Sequence, residues 1–207
     1  DHDGILLTSR RISVAPFARF DLEAGHENPG PSRVGLNEII PDESTAPYFA
    51  TLVRYGTAAD RYAFAYPLLA SSGATTPIFV PISTGGGAQN WVEVVNSSAS
   101  SITVSARFFA QNGQPLRDEL SIPIAPHSQR HVNASALLGP NASGLVRFAS
   151  STPHSLLAHS LFYFYAADGS IESMYGTRAL PIAGTDLAGS YNLFLEMYNW
   201  LKVSNPT

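Results

Sequence analysis

The side chains best suited to metal or proton chemistry in this chain are its six histidines. A zinc site needs three or four converging ligands. His127 and His131 are four residues apart, but Pro126 precedes them and the surrounding pattern is β-type rather than helical. His154 and His159 lie on either side of a strand start, and neither pair recurs in the other half of the chain. We therefore expect surface or hydrogen-bonded histidines and no metal site.

Carboxylates and hydroxyls show no catalytic pattern. Asp60 and Asp168 occupy matching turns, where aspartate is favoured by hydrogen bonds to its own backbone. Serine is abundant, but no G-x-S-x-G elbow is present. The run Gly85-Gly86-Gly87 is followed by no lysine, so it is not a phosphate-binding loop. No pair of carboxylates stands out for glycoside hydrolysis. The sequence thus predicts neither an enzyme nor a cofactor.

Aromatic residues are the better candidates for binding. Trp91 begins a strand and shares one face of it with Glu93, whereas Val92 points to the other face. At the matching place near the end of the chain, Trp200 shares a face with Lys202. Because the matching positions carry a negative charge in Glu93 and a positive charge in Lys202, we expect side chains at this position to lie in solvent. Both tryptophans then lie on an outward face, either as a platform for sugars or modules or tucked under a neighbouring loop.

A second aromatic group lies in the segment Phe162-Tyr163-Phe164-Tyr165. Because side chains alternate along a strand, this segment places aromatics on both faces. We expect it to be covered by the core on one side and by a neighbour on the other. The candidate binding residues are Trp91, Trp200, Tyr163 and Tyr165.

The elements that hold these side chains repeat along the chain at an offset of 108 to 110 residues. The matching groups are Ala15-Pro16 with Ala125-Pro126, Gly30-Pro31 with Gly139-Pro140, Ala58-Ala59-Asp60 with Ala166-Ala167-Asp168, and Asn90-Trp91 with Asn199-Trp200. A period of this length corresponds to a whole small domain rather than a solenoid turn. The ordered matches therefore predict two related modules.

Short strands dominate the middle of the chain. Apolar residues alternate with polar ones from Ile102 to Phe108, as in a half-buried strand. Asn112-Gly113 then predicts a hairpin turn, with a proline-containing return strand Leu116–Ile124 at a sheet edge. Further strands are predicted at 144–149, 155–165 and 171–179, with a short turn or helical loop within 131–138. This spacing indicates an all-β sandwich or barrel.

The repeat divides the chain unevenly. Residues 77–181 form one complete module, between linker-like segments at 70–76 and 183–190. Residues 1–69 match its second half and 191–207 match its first two strands, so together they form an incomplete or permuted module lacking one strand. Either the chain is an excerpt from a longer tandem array, or its tail completes its own N-terminal half or a neighbour's. A missing strand leaves an edge open to strand addition.

The pattern Asn90-Trp91-x-x-Val94-x-Asn96, followed by an alternating strand, a hairpin turn and an aromatic-rich strand, resembles tandem immunoglobulin-like repeats of bacterial surface proteins. This resemblance implies two immunoglobulin-like β-sandwich modules, a bacterial extracellular or cell-surface location, and a non-catalytic spacer or adhesive role. The cysteine pair of true immunoglobulin domains is absent.

Composition narrows the classes of partner. The formal net charge is −4, and Arg10-Arg11 is the sole basic doublet, so a nucleic-acid partner is not expected. No apolar run approaches the ~18 residues of a membrane span. Charged residues make up 14% of the chain, against about 25% in an average globular protein. A polar surface built from serine, threonine and amides is common among secreted β-proteins.

Three functions remain open at this point. The first is a structural module of an extracellular assembly (a stalk, sheath or filament), whose partners are copies of itself or neighbouring modules. The second is an adhesive module that binds polysaccharide or protein through exposed aromatics. The third is a hydrolase with its site in the loop 22–46, which departs most from its repeat partner.

Overall fold

The computed structural model describes residues 1–23, 34–42, 48–58, 61–69, 72–74, 77–181 and 203–205. In these parts of the chain, ten strands form three antiparallel sheets. The strands are β1 Thr51–Ala58, β2 Arg61–Leu69, β3 Ile78–Ser83, β4 Gln89–Asn96, β5 Ile102–Ala110, β6 Leu120–Ile124, β7 Ser128–Asn133, β8 Ser143–Ala149, β9 Leu156–Tyr165 and β10 Ile171–Arg178. The only helical elements among the described residues are a 3₁₀ turn, Gly85–Gly87, and the four-residue helix α1, Ser135–Leu138.

Two four-stranded sheets, ordered β10-β9-β4-β7 and β3-β8-β5-β6, enclose the main core. Val92 from the first sheet and Val80 and Phe108 from the second are each fully buried in it. Burying side chains of this size stabilises the fold by roughly 1.5–3 kcal/mol each. The expectation of an all-β chain with sandwich-like sheets is therefore confirmed.

The alternation predicted for the middle of the chain is present in β5. Ile102, Val104, Ala106 and Phe108 are buried, while Thr103 and Arg107 between them are exposed. The hairpin turn lies where Asn112-Gly113 predicts it, with Gly113 at φ +82°. The turn at Asp168-Gly169 joins β9 to β10, with Gly169 at φ +83°.

The return strand after the first hairpin is shorter than predicted. Pro115 forms an isolated antiparallel β-bridge with Phe109, and the Leu116 amide donates a hydrogen bond to the Phe108 carbonyl at 2.8 Å. The chain then leaves the sheet until Leu120, because the three charged residues at 117–119 stay in solvent. The strand β6 does lie at a sheet edge, as its Pro123 requires.

The β1–β2 hairpin packs beside the sandwich rather than within it. Cα atoms of β2 come within 8 Å of those of β10, and the β1 residue Arg54 contacts β4. Before this hairpin, the described residues 1–23 and 34–42 contain no strand. No helix in the described ranges is long and apolar enough to cross a membrane.

Candidate functional site

A row of polar side chains crosses the outer face of the β10-β9-β4-β7 sheet. Glu93 on β4 lies opposite His131 on β7 and opposite His159 on β9, and His159 lies opposite Arg178 on β10. Residues directly opposite each other on antiparallel strands share a face, with Cβ atoms about 4.5–5.5 Å apart. Four strands thus bring four titratable side chains into one line, which we call the polar row.

The side chain of Arg54, on β1, reaches the centre of the polar row. Arg54 on β1 donates to both carboxylate oxygens of Glu93, with Nη1 to Oε1 at 3.0 Å and Nη2 to Oε2 at 2.9 Å. The Glu93 side chain is 8% exposed and that of Arg54 is 33% exposed. A buried carboxylate needs such a partner, and the bidentate geometry is the strongest that arginine offers.

This ion pair corrects the expectation that the Glu93 position lies in solvent. The inference from the Glu-to-Lys exchange was wrong because it took no account of what lies above the sheet. Glu93 points outward from the sandwich, as the alternation requires, but the Arg54 side chain of β1 lies against it. The outer face at this point is an internal interface between the hairpin and the sandwich.

The two histidines of the polar row have lowered pKa values. Partial burial lowers the pKa of His131, and the Glu93 carboxylate, 3.8 Å from His131 Nε2, opposes that shift only in part. Burial likewise lowers the pKa of His159, again against the opposing charge of Glu93. Arg54 adds to the lowering in both cases because its positive charge disfavours a second cation nearby. Both rings are therefore neutral at pH 7.

At the centre of the polar row, the charge of Glu93 is paired with that of Arg54. Both Glu93 oxygens are engaged by Arg54, which leaves this carboxylate poorly placed to act as a base or a metal ligand. Among the described residues, no group of three or more histidine, aspartate or glutamate side chains is placed to hold a metal ion. His159 and Arg178 border a shallow groove of about 300 Å³ near Gly73 and Leu180. The groove lies at the Arg178 end of the polar row.

The predicted binding aromatics occupy different environments. Trp91 lies on the outer face of β4, half-buried, opposite Leu161. Tyr163 lies on the same face, half-buried beside Arg54, and its burial raises its pKa. Tyr165 is 42% exposed at the end of β9. Trp200 lies outside the described residues. The structure thus brings Trp91 and Tyr163 to one face, with Tyr165 at its end.

The sequence analysis missed Arg54, Glu93 and His159 as a cluster. One signal was available: Glu93 is the only charged residue in the strand 89–96, which is otherwise largely buried. A charge that interrupts a buried strand needs a partner. The partner could not be found from spacing, because Arg54 is 39 residues earlier in the chain.

The asparagines that recur with Trp91 and Trp200 have a structural explanation. Asn90 and Asn96 are both fully buried, one near each end of β4. Each uses its side-chain amide as donor and acceptor to tie β4 to neighbouring segments. The partners are Ser83, Ser160 and Leu161 for Asn90, and Ser98, Ser100 and Ala125 for Asn96. Asn199 and Asn205 stand at the matching positions in the repeat.

No family model matches this chain, and no curated protein matches it. Among solved structures, the chain is similar to the one titled "Crystal Structure of Thermotoga maritima 1070". The identity is 13% and the TM-score 0.43, over 55% of this chain and 98% of that one.

The hydrolase loop proposed at 22–46 falls largely outside the described residues. Of its described part, Glu38 contacts His127, with Oε1 and Nδ1 2.6 Å apart, and Asp42 pairs with Arg11 at 3.1 Å. The Gly35 carbonyl accepts from Gln129 Nε2 at 3.0 Å. The Glu38 and Gly35 contacts attach the loop to the β7 edge of the sandwich, and the Asp42 contact attaches it to the N-terminal segment.

Proposed function

We propose that this chain is a non-catalytic structural subunit of a bacterial extracellular assembly, joined to its own copies by strand pairing. The observation that supports this proposal is a contrast between the two parts of the chain. The complete module, residues 77–181, buries its own core. The described residues before it leave most of their apolar side chains in solvent.

Apart from Leu52 and Tyr55 in β1, the exposed apolar side chains of this part lie on backbone outside any strand. They are Ile5, Leu6, Leu7, Ile12, Val14, Phe17, Phe20, Leu22, Ile39, Ile40, Tyr48 and Phe49. Monomeric proteins rarely expose apolar surface on this scale, and such surface marks interaction sites. Burial of each large side chain is worth roughly 1.5–3 kcal/mol, so a partner that covers several of them gains substantial free energy.

The finer architecture we propose is two immunoglobulin-like modules, the first incomplete. The hairpin β1–β2 supports it, because the sequence Ala58-Ala59-Asp60 between its strands matches Ala166-Ala167-Asp168 between β9 and β10. The extracellular location rests on the low content of charge and on the resemblance to surface repeats. Protease treatment of intact cells tests it: protection of the chain until lysis would contradict an extracellular location.

Self-association is tested directly by light scattering and electron microscopy of the purified chain over a range of concentrations. We expect oligomers or fibres that grow with concentration. The matched variant, Phe17→Ser with Phe49→Ser, replaces two exposed apolar residues of the N-terminal part, and we expect it to form smaller assemblies than the unaltered chain. A chain that stays monomeric throughout would overturn the proposal.

A second candidate function is binding of polysaccharide, which the aromatic residues on the outer face of β9 and β4 favour. Tyr165 is 42% exposed and lies on the same face of the sheet as Tyr163 and Trp91. Tyr175, also 42% exposed, stacks on Phe162 on the opposite face, with ring centroids 4.5 Å apart, and is not part of this surface. Exposed rings are suited to stacking on sugars. Retardation on polysaccharide gels that is lost in Tyr165→Ala or Trp91→Ala would favour this function, and unchanged mobility would exclude it.

A further inference from the structure

The outer face of the β3-β8-β5-β6 sheet carries an aromatic side chain in line with two arginines. Arg107 on β5 lies directly opposite Arg147 on β8, and Arg147 lies directly opposite Phe79 on β3. Residues paired in this way share a face of the sheet, with Cβ atoms about 4.5–5.5 Å apart. Their neighbours along each strand are buried in the core, so this line faces away from it. We call Phe79, Arg147 and Arg107 the arginine row.

The arginine row holds more positive than negative charge. Like charges directly opposite each other on neighbouring strands destabilise a sheet. Glu119, just before β6, offsets one of them, because its carboxylate accepts a hydrogen bond from Arg107 Nε. The pKa of Glu119 is lowered, most by this bond and least by the charge of Arg147. Arg147 itself forms no ion pair with any residue that the structure describes. One positive charge therefore stays uncompensated beside another.

Hydroxyl and apolar groups stand at the two ends of the arginine row. Ser105, two residues before Arg107 on β5, lies opposite Ser121 on β6, which places two hydroxyls beside the β6 end. At the β3 end, Phe79 forms a β-bridge with Leu180, which is 46% exposed. The Arg107 side chain between these ends is 58% exposed. This face thus offers solvent an apolar end, two guanidinium groups and a hydroxyl end.

Each of these groups suits one part of an acidic sugar. A guanidinium binds a carboxylate through two parallel hydrogen bonds, and Arg147 is the arginine placed to do so. The ring of Phe79 suits the apolar face of a sugar ring, and serine hydroxyls exchange hydrogen bonds with sugar hydroxyls. A neutral sugar would leave the charge of Arg147 uncompensated. The net charge of −4 disfavours nucleic acid as the source of negative charge.

We propose that the arginine row binds a carboxylate-bearing polysaccharide, with a carboxylate on Arg147 and a sugar ring against Phe79. The bound carboxylate relieves the repulsion between the two arginines, which gives the free energy of binding an electrostatic part. This site goes beyond the proposed function and does not depend on it, because the row lies within one chain. It is also separate from Trp91 and Tyr163, which lie on the other sheet.

Isothermal titration calorimetry with a short oligogalacturonate tests the site without the avidity of a long polymer. We expect saturable binding that weakens as salt is added, and no binding of the fully methyl-esterified oligomer, whose carboxylates are blocked. Arg147→Gln should weaken binding at least about tenfold, because hydrogen bonds to charged groups are the stronger class. The matched control, Arg130→Gln, removes the same charge from β7 on the other sheet and should bind like the unaltered chain.

Two further variants test the roles of the guanidinium and the ring. Arg147→Lys keeps the charge but loses the bidentate geometry, so its binding should lie between those of the unaltered chain and Arg147→Gln. Phe79→Leu keeps an apolar side chain but removes the ring, and should bind more weakly. Circular dichroism establishes that each variant folds. If Arg147→Gln does not fold, the comparison of free and esterified oligomers on the unaltered chain decides together with Arg147→Lys.

Equal binding of the free and esterified oligomers overturns the proposal, and so does equal binding by Arg147→Gln and Arg130→Gln. Equally strong binding of single-stranded DNA overturns the assignment to a carboxylate-bearing sugar. Oligomers of the chain that bind no oligogalacturonate overturn this site and leave the structural function standing. A chain that binds as expected but stays monomeric supports this site and overturns the structural function alone.

Discussion

Replacing Arg54 by alanine should release the β1–β2 hairpin from the sandwich. Its guanidinium makes two hydrogen bonds to Glu93, whose side chain is only 8% exposed. Removing one partner of a buried ion pair costs about 3–5 kcal/mol, because the other charge stays buried and unpaired. The Arg54 side chain is 33% exposed, which places this case at the lower end, about 3 kcal/mol. Glu93 regains water when the hairpin lifts, so hairpin undocking is the expected response.

Hydrogen exchange measured by mass spectrometry locates the effect. Amides of β1 and β2 should lose protection in Arg54→Ala, while those of β5 and β8 keep it. The matched control is Arg107→Ala, which removes a surface partner of Glu119. The side chains of this pair are 58% and 41% exposed, so little change is expected.

A double variant, Arg54→Met with Glu93→Met, separates the ion pair from the contact area. Replacing both partners of a buried pair by apolar residues is often neutral or stabilising, so protection of the hairpin should return. The reasoning fails if Arg54→Ala exchanges no faster than Arg107→Ala, or if the double variant is as disordered in β1 as Arg54→Ala alone.

Three further predictions concern stability and assembly. Burial holds the pKa values of His131 and His159 below the ordinary 6.5, so the unfolded state binds more protons than the folded state below pH 6.5. The free energy of unfolding should therefore fall on acidification from pH 7 to 5. The fall should be smaller when both histidines are replaced by glutamine. Asn96→Leu should lower the free energy of unfolding, measured by urea titration, by about 1–3 kcal/mol for each buried group left unpaired, whereas Gln89→Ala on the exposed side should not. Deleting residues 191–207 should abolish assembly while the complete module stays folded; a truncated chain with unchanged assembly by light scattering contradicts this.

The sequence was sufficient to predict the elements whose sequence signals are local. Alternation in β5 and the turn residues Asn112-Gly113 depend on neighbours a few positions away, and both predictions agree with the structure. The return strand was predicted too long, because an apolar Leu116 outweighed the charged residues that follow it. Local pattern thus located strands and turns but not the ends of every strand.

The candidate site could not be predicted, because it depends on contacts between distant segments. The alternation around Glu93 correctly indicates an outward face of its sheet. It carries no information on what packs over that face, and Arg54 comes from a hairpin on the other side of a linker-like segment.

The ion pair also bears on the self-association by strand pairing that we propose. Arg54 fixes β1 against the sandwich through Glu93. A strand that is already ordered pays less conformational entropy when another strand is added, so docking of the hairpin pre-organises it for pairing with a second copy. Arg54→Ala should therefore raise the concentration needed for assembly, and Arg54→Met with Glu93→Met should restore it. Light scattering of the three chains at matched concentrations measures the effect. Equal assembly of Arg54→Ala and the unaltered chain would mean that assembly does not depend on the ion pair.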